Sequence, residues 1–320
     1  MALPFQILLF FVGLALIVFG ADFLVDGASA LARRFGISEF VIGLTIVGMG
    51  TSAPEMVVSF IGAIKGNADI AVGNVVGSNI FNTLLILGVT AVITPITITR
   101  DNRRRDIPVN LAVTILFILF GMSATLFGIG KDGLGRPEGA VLLALFIAYM
   151  VFSFKRDSHS DGETAAGKQI NPWLSGLMIA GGLAALIGGG ELFVDSATEI
   201  AKRLGISDKF IAITILAGGT SMPELATCIV AASKKKGQLA LGNILGSNVF
   251  NILLILGGSA LIRPLSFGTM GLTDMGVLLL SAMLVMFSAW TFRRNELDRR
   301  DGCLLLLCEA AYFTWLCINL

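Results

Sequence analysis

The chain has 320 residues, of which 55% are hydrophobic and 14% charged, with a net charge of +1 and a mean hydropathy of +0.85. Soluble domains carry about 25% charged residues, so this composition belongs to a protein solvated by lipid. Near-neutral charge and the lack of a basic patch interleaved with aromatics argue against a nucleic-acid partner, and one histidine, His159, gives no basis for a His-based metal site or catalytic triad.

In chain order, apolar runs of about 20 residues, the length a spanning helix needs, predict spans near 5–28, 38–64, 69–94, 107–128 and 138–154. The first run has no positive segment before it and exceeds the roughly 7–15 apolar residues of a cleaved signal, so it reads as a spanning helix. A polar, charged stretch from Lys155 to Asn171 follows, then five more spans near 172–199, 207–233, 239–262, 273–292 and 303–319. The expectation is an all-α polytopic membrane protein of ten transmembrane helices. It divides into a five-helix unit (1–154), a linker (155–171) and a second five-helix unit (172–320). Cys228, Cys303, Cys308 and Cys317 lie in apolar stretches without metal-ligand spacing and read as small core residues.

Lysine and arginine set the orientation. With ten spans, sixteen fall on one side, among them Arg33, Arg103 and Lys234, and seven on the other, among them Lys65 and Arg263. The richer side, with the linker, is expected to be cytoplasmic and both termini outside, in a cell membrane.

The chain is also written twice. Residues 20–95 align without a gap onto 189–264 at an offset of 169, a little under half the pairs being identical. Five spans is an odd number, so the second copy threads the bilayer in the opposite sense. Inverted repeats of this kind build transporter sites near the bilayer midplane.

The most similar segments are polar. Gly50-Thr51-Ser52-Ala53-Pro54-Glu55 matches Gly219-Thr220-Ser221-Met222-Pro223-Glu224, placing Glu55 and Glu224 mid-span. A charge there costs several kcal/mol and is functional by default. Thr51 and Glu55 share a helix face, as do Thr220 and Glu224. Pro54 and Pro223 have no N–H, so the carbonyls of Gly50 and Gly219 lose their helical partners. Freed carbonyls and carboxylates suit a hard cation such as Ca2+, which takes about six to eight oxygens. A second motif, Gly-Asn-X-X-Gly-Ser-Asn-X-Phe-Asn, offers Ser78 and Asn82 from one face and Ser247 and Asn251 from its copy. These four read as cation contacts, and Gly73, Gly77, Gly242 and Gly246 as packing positions. Asn74, Asn79, Asn243 and Asn248 suit either cation contact or interhelical hydrogen bonding. Asp22, Asp26, Glu191 and Asp195 lie towards helix ends, where interfacial water or a neighbouring arginine explains them.

Both motifs, their duplication and the ten-span plan resemble the α-repeats of the calcium/cation antiporter superfamily, the group that contains the Na+/Ca2+ exchangers. The resemblance implies a core of helices 2, 3, 7 and 8, across which helices 1 and 6 slide. It implies Ca2+ held by Glu55 and Glu224 with the backbone carbonyls of Thr51 and Thr220. Na+ would use the same glutamates, with Ser52, Ser78, Ser221, Ser247 and the carbonyls of Gly48 and Ala217. Some K+-dependent and archaeal relatives carry aspartate where this chain has Asn251, which argues against K+ dependence here. The function expected is exchange of Ca2+ for Na+, both as substrates in a lipid bilayer. No enzymatic activity, cofactor or obligatory protein partner is expected. Exchange coupled to H+ on the same scaffold, and a cation channel, are the alternatives.

Overall fold

The computed structural model describes residues 3–128, 130–157, 171–205, 217–267, 270–291 and 295–319. The chain is mostly helical. Its helices are α1 (Leu3–Phe35), α2 (Glu39–Thr51), α3 (Ala53–Lys65), α4 (Ala68–Ile93), α5 (Ile107–Gly121) and α6 (Arg136–Asp157). They continue as α7 (Pro172–Arg203), α8 (Met222–Ser233), α9 (Gly237–Ile262), α10 (Leu272–Thr291) and α11 (Arg299–Asn319). Among the described residues, seven of these are long and apolar enough to cross a membrane, and α2 with α3 make an eighth if that bent pair is one span. The 155–171 linker and the 207–233 span, expected as elements, fall partly outside the described residues, as does His159.

Helices α1 and α7, of 33 and 32 residues, are about 50 Å long at 1.5 Å per residue. The roughly 30 Å hydrocarbon core is shorter, so both run beyond the 5–28 and 172–199 spans expected. They pack along one another through small residues. A Cβ on Gly20 would lie 2.8 Å from the Gly182 carbonyl oxygen, and one on Gly13 2.9 Å from that of Gly189. Close backbone approach of this kind replaces the hydrophobic drive that helices lack in lipid. The outer faces of both helices leave Phe11, Phe19, Phe23, Trp173 and Leu177 exposed. Helix α9, by contrast, is buried along nearly its whole length and forms the centre of the molecule.

Three features depart from the regular helices expected. The chain does not kink at Pro54 but breaks: α2 ends at Thr51, Ser52 takes φ −80°, ψ 8°, and α3 starts at Ala53, bent by 49°. Proline sits in the first turn of the new helix, where its missing N–H would be unpaired in any case. The copy repeats this, with Ser221 at φ −89°, ψ 8° before Met222. Second, wider π-helical turns run through Asn82–Ile86 in α4 and Asn251–Leu256 in α9, each starting at the last asparagine of the second motif. Such turns favour functional sites. Third, two short antiparallel ribbons join the halves. Ile96–Thr97 pairs with Glu296–Leu297, and Gly133–Leu134 pairs with Leu265–Ser266.

The packing expected of the motif glycines holds for Gly242 and Gly246, whose added Cβ atoms would meet the carbonyl oxygens of Phe40 at 2.1 Å and Leu44 at 2.3 Å. Among the described residues, Gly77 has no atom within 4 Å of such a Cβ, so packing does not explain it.

Candidate ion-binding site

The helix breaks put each glutamate at the start of a helix inside the protein. Glu55 lies in the first turn of α3 and Glu224 in the first turn of α8, both 1% exposed. Free N–H groups and the positive end of the helix dipole favour a carboxylate at that position, which offsets part of the cost of burying it.

Ser52 and Glu55, like Ser221 and Glu224, have the spacing of a capping box. The serines do not cap their own helices. Instead, each crosses to the other copy: the Ser52 hydroxyl donates to Glu224 Oε1 and the Ser221 hydroxyl donates to Glu55 Oε1, both at 3.0 Å. Ser221 also lies 3.2 Å from the Ser78 hydroxyl, which is 3.5 Å from Glu55 Oε1. Each glutamate is therefore held by a serine of the other copy, Glu224 by Ser52 and Glu55 by Ser221 together with Ser78.

The asparagines follow the same crossed pattern. Asn82 donates through Nδ2 to Asn248 Oδ1 at 3.2 Å, and Asn251 donates to Asn79 Oδ1 at 2.9 Å. Asn79 donates in turn to the Asn248 carbonyl and Asn248 to the Thr83 hydroxyl. Asn79 and Asn248 thus bond helix to helix. So do Asn74, which donates to the Glu55 carbonyl and to Ser59, and Asn243, which accepts from the Thr51 hydroxyl at 3.1 Å and donates to Cys228 Sγ.

Four acceptor oxygens of the two motifs are left buried without a hydrogen-bond partner: Glu55 Oε2, Glu224 Oε2, Asn82 Oδ1 and Asn251 Oδ1; outside the motifs, Asn110 Oδ1 and Glu309 Oε2 are too. The Thr220 hydroxyl is likewise unpaired. A buried polar atom without a partner costs about 1–3 kcal/mol, more when charged. The four motif oxygens come as one pair from each copy. Of the other expected positions, Ser247 donates to the Gly48 carbonyl at 3.4 Å, and Thr51 is 3.4 Å from that same carbonyl. Ala217 begins a single helical turn, Ala217–Gly219. Residues 206–216 before it lie outside the described residues.

Outside these clusters, the side chains of Asp22 and Asp26 on α1 are 51% and 40% exposed, in keeping with the interfacial placement expected of them. Asp22 and Asp26 are held by lysines, not by an arginine: Lys234 Nζ lies 2.6 Å from Asp22 and 2.8 Å from Asp26.

The comparisons with known proteins agree with one another. The family model described as sodium/calcium exchanger protein matches residues 5–155 and 174–318. The chain is 37% identical over 311 residues to a putative antiporter, CaxA, of Alkalimonas amylolytica, covering 94% of this chain and 95% of that one. It is 34% identical to the sodium/calcium exchanger MaX1 of Methanosarcina acetivorans, covering 95% and 96%. Its fold is similar to that of the sodium-calcium exchanger NCX_Mj soaked with Na+ and Sr2+, with a TM-score of 0.86 at 32% identity, over 98% of this chain and 99% of that one. Fold, crossed polar network and these likenesses together identify a multi-pass membrane protein that belongs to the sodium/calcium exchanger family.

Proposed function

We propose that the protein is a secondary antiporter that exchanges Ca2+ for Na+ by alternating access, through one site built on Glu55 and Glu224. The observation that carries this reading is the set of four unpaired buried oxygens in the two motifs, the carboxylates held by the crossed Ser52–Glu224 and Ser221–Glu55 bonds and the asparagines by bonds to Asn248 and Asn79. Ca2+ prefers carboxylate, carbonyl and hydroxyl oxygens, and these are the groups the motifs bring inward. Ser78, Ser247, Thr51, Thr220 and the carbonyls of Gly48 and Ala217 complete the proposed ligand set for the two ions.

Charge explains why such a site exchanges rather than leaks. Two carboxylates neutralise one Ca2+ or two Na+. An empty cage would carry two like charges through a low-dielectric occluded state, which is costly. The loaded site crosses more readily, so net transport requires an ion in each direction.

In this reading the helices form ten spans in two inverted five-helix units, 1–154 and 172–320. Helix α5 with the turn after it, and α8 with the residues before it, supply the two spans beyond the eight counted by length. The linker is cytoplasmic and both termini outside, following the excess of Lys and Arg. Neither cofactor nor protein partner enters the cycle.

The experiment is Ca2+ uptake into vesicles under an imposed Na+ gradient with pH clamped. Uptake driven by Na+ supports the proposal. Uptake under a pH gradient alone overturns the Na+ assignment in favour of H+ coupling, and Ca2+ flux that needs no counter-ion identifies a channel.

A further inference from the structure

Asp22 and Asp26 stand one turn apart on α1, outside the oxygen cage. Lys234 bridges them at 2.6 and 2.8 Å, and Lys236 adds a contact to Asp26 at 3.2 Å. Both lysines lie in the turn between α8 and α9. Partial burial works against the Lys234 ammonium, yet its hydrogen bonds to Asp22 and Asp26 outweigh that and hold its pKa above the ordinary lysine value.

The 169-residue offset assigns each member a counterpart: Glu191 for Asp22, Asp195 for Asp26 and Lys65 for Lys234. Lys65 ends α3 as Lys234 follows α8. Yet among the described residues Glu191, Asp195 and Lys65 form no ion pair. The helices share this asymmetry. α1 packs along α8, whereas its counterpart α7 makes at most marginal contact with α3. The sequence thus carries the same charges twice, and the structure joins only one set.

We propose that these are two ion-pair latches that close in turn. Asp22 and Asp26 with Lys234 and Lys236 shut the site towards one membrane face in the state described here. Glu191 and Asp195 with Lys65 shut it towards the opposite face in the other state. These are positioning residues: they set which face the cage opens to, not what it binds. Lys236 has Asn67 as its counterpart, which instead caps α4 by accepting from the Ile70 N–H at 3.2 Å. The second latch is therefore the weaker, and the state described here is favoured. Each half-exposed pair changes a two-state population by a factor of up to about five, enough to bias the equilibrium without freezing it.

This inference rests on the alternating-access reading, and its test separates the two. The Ca2+ concentration for half-maximal exchange is measured from each face, in right-side-out and inside-out vesicles of the full chain. Apparent affinity scales with the fraction of molecules open to that face. Lys234→Gln should weaken affinity at the face away from Lys234 and strengthen it at the near face, changing their ratio roughly three- to tenfold. Lys65→Gln should move the same ratio the opposite way. The full reversal D22K/D26K/K234D/K236D should restore the wild-type ratio. Shifts of the same sign in Lys234→Gln and Lys65→Gln, or none in either, overturn the latch, whether or not the reversal folds. Wild-type protein without exchange would instead sink the antiporter reading itself.

Discussion

Asn251 donates its amide nitrogen to Asn79 across the interface between the two copies, leaving its own carbonyl oxygen buried and unpaired. The bond fixes which end of the amide is left free for the proposed cation. Asn251→Asp removes the donor and sets a carboxylate against the Asn79 oxygen. Only the protonated acid can make that bond again. Exchange by this variant should be depressed at alkaline pH and recover as pH falls, while wild type changes less. Uptake measured as a function of pH checks it, and a flat ratio between the two proteins would rule it out.

Glu55→Gln and Glu224→Gln each remove one of the two charges proposed to balance Ca2+. Each should abolish exchange and leave folding and membrane insertion intact, because a neutral amide is cheaper to bury than a carboxylate. Transport assays and size-exclusion profiles of both variants decide this, and wild-type uptake by either would remove the proposed site.

The crossed serines should behave as a matched pair. Hydrogen bonds to charged groups contribute about 1.5–3 kcal/mol, so Ser52→Ala and Ser221→Ala should each weaken apparent Ca2+ affinity roughly tenfold or more. Ser221 should cost more, because it also contacts Ser78. Ca2+ titrations of uptake by the two variants test the order.

Lys235 sits in the left-handed region at φ 58°, where its counterpart in the first copy is Gly66 at φ 76°. A non-glycine residue there costs about 1–2 kcal/mol. Lys235→Gly should therefore raise thermal stability by about 1 kcal/mol in detergent, read from the melting temperature. An unchanged or lower melting temperature would contradict it.

Gly20→Val should do the reverse. Its side chain would meet the Gly182 oxygen and the Leu186 nitrogen within 3 Å, and overpacking of this kind costs about 1–3 kcal/mol. Lower stability together with lost exchange is the expected outcome, measured on the same purified protein.

Much of the candidate site was legible in the sequence because polar groups inside lipid are too costly to be incidental. Glu55, Ser52, Asn82 and their copies stood out against an apolar background. The offset of 169 also told which residues correspond. What the sequence left open was partnership. Nothing in the Ser52-to-Glu55 spacing says that the serine reaches Glu224 instead of capping its own helix. Asn79 and Asn248 were ambiguous for the same reason, since an amide can serve a cation or another amide, and only the packed helices choose. Proline was read as freeing one carbonyl within a span, and how far the helix would open, to a full stop and restart at Ser52, was not legible. The π turns at Asn82 and Asn251 left no trace in hydrophobic periodicity, since α4 and α9 are buried on several sides and their apolar pattern carries little phase. The lysine partners of Asp22 and Asp26 lie more than 200 residues away, beyond any local rule.

The two ribbons have a consequence for how such a chain is made. Ile96 waits for Leu297, and Leu134 for Leu265. The first half therefore leaves the ribosome with strand edges that only the second half can complete, and with Ser52, whose acceptor Glu224 has yet to be synthesised. These contacts between the halves can therefore close only after the second half has been made.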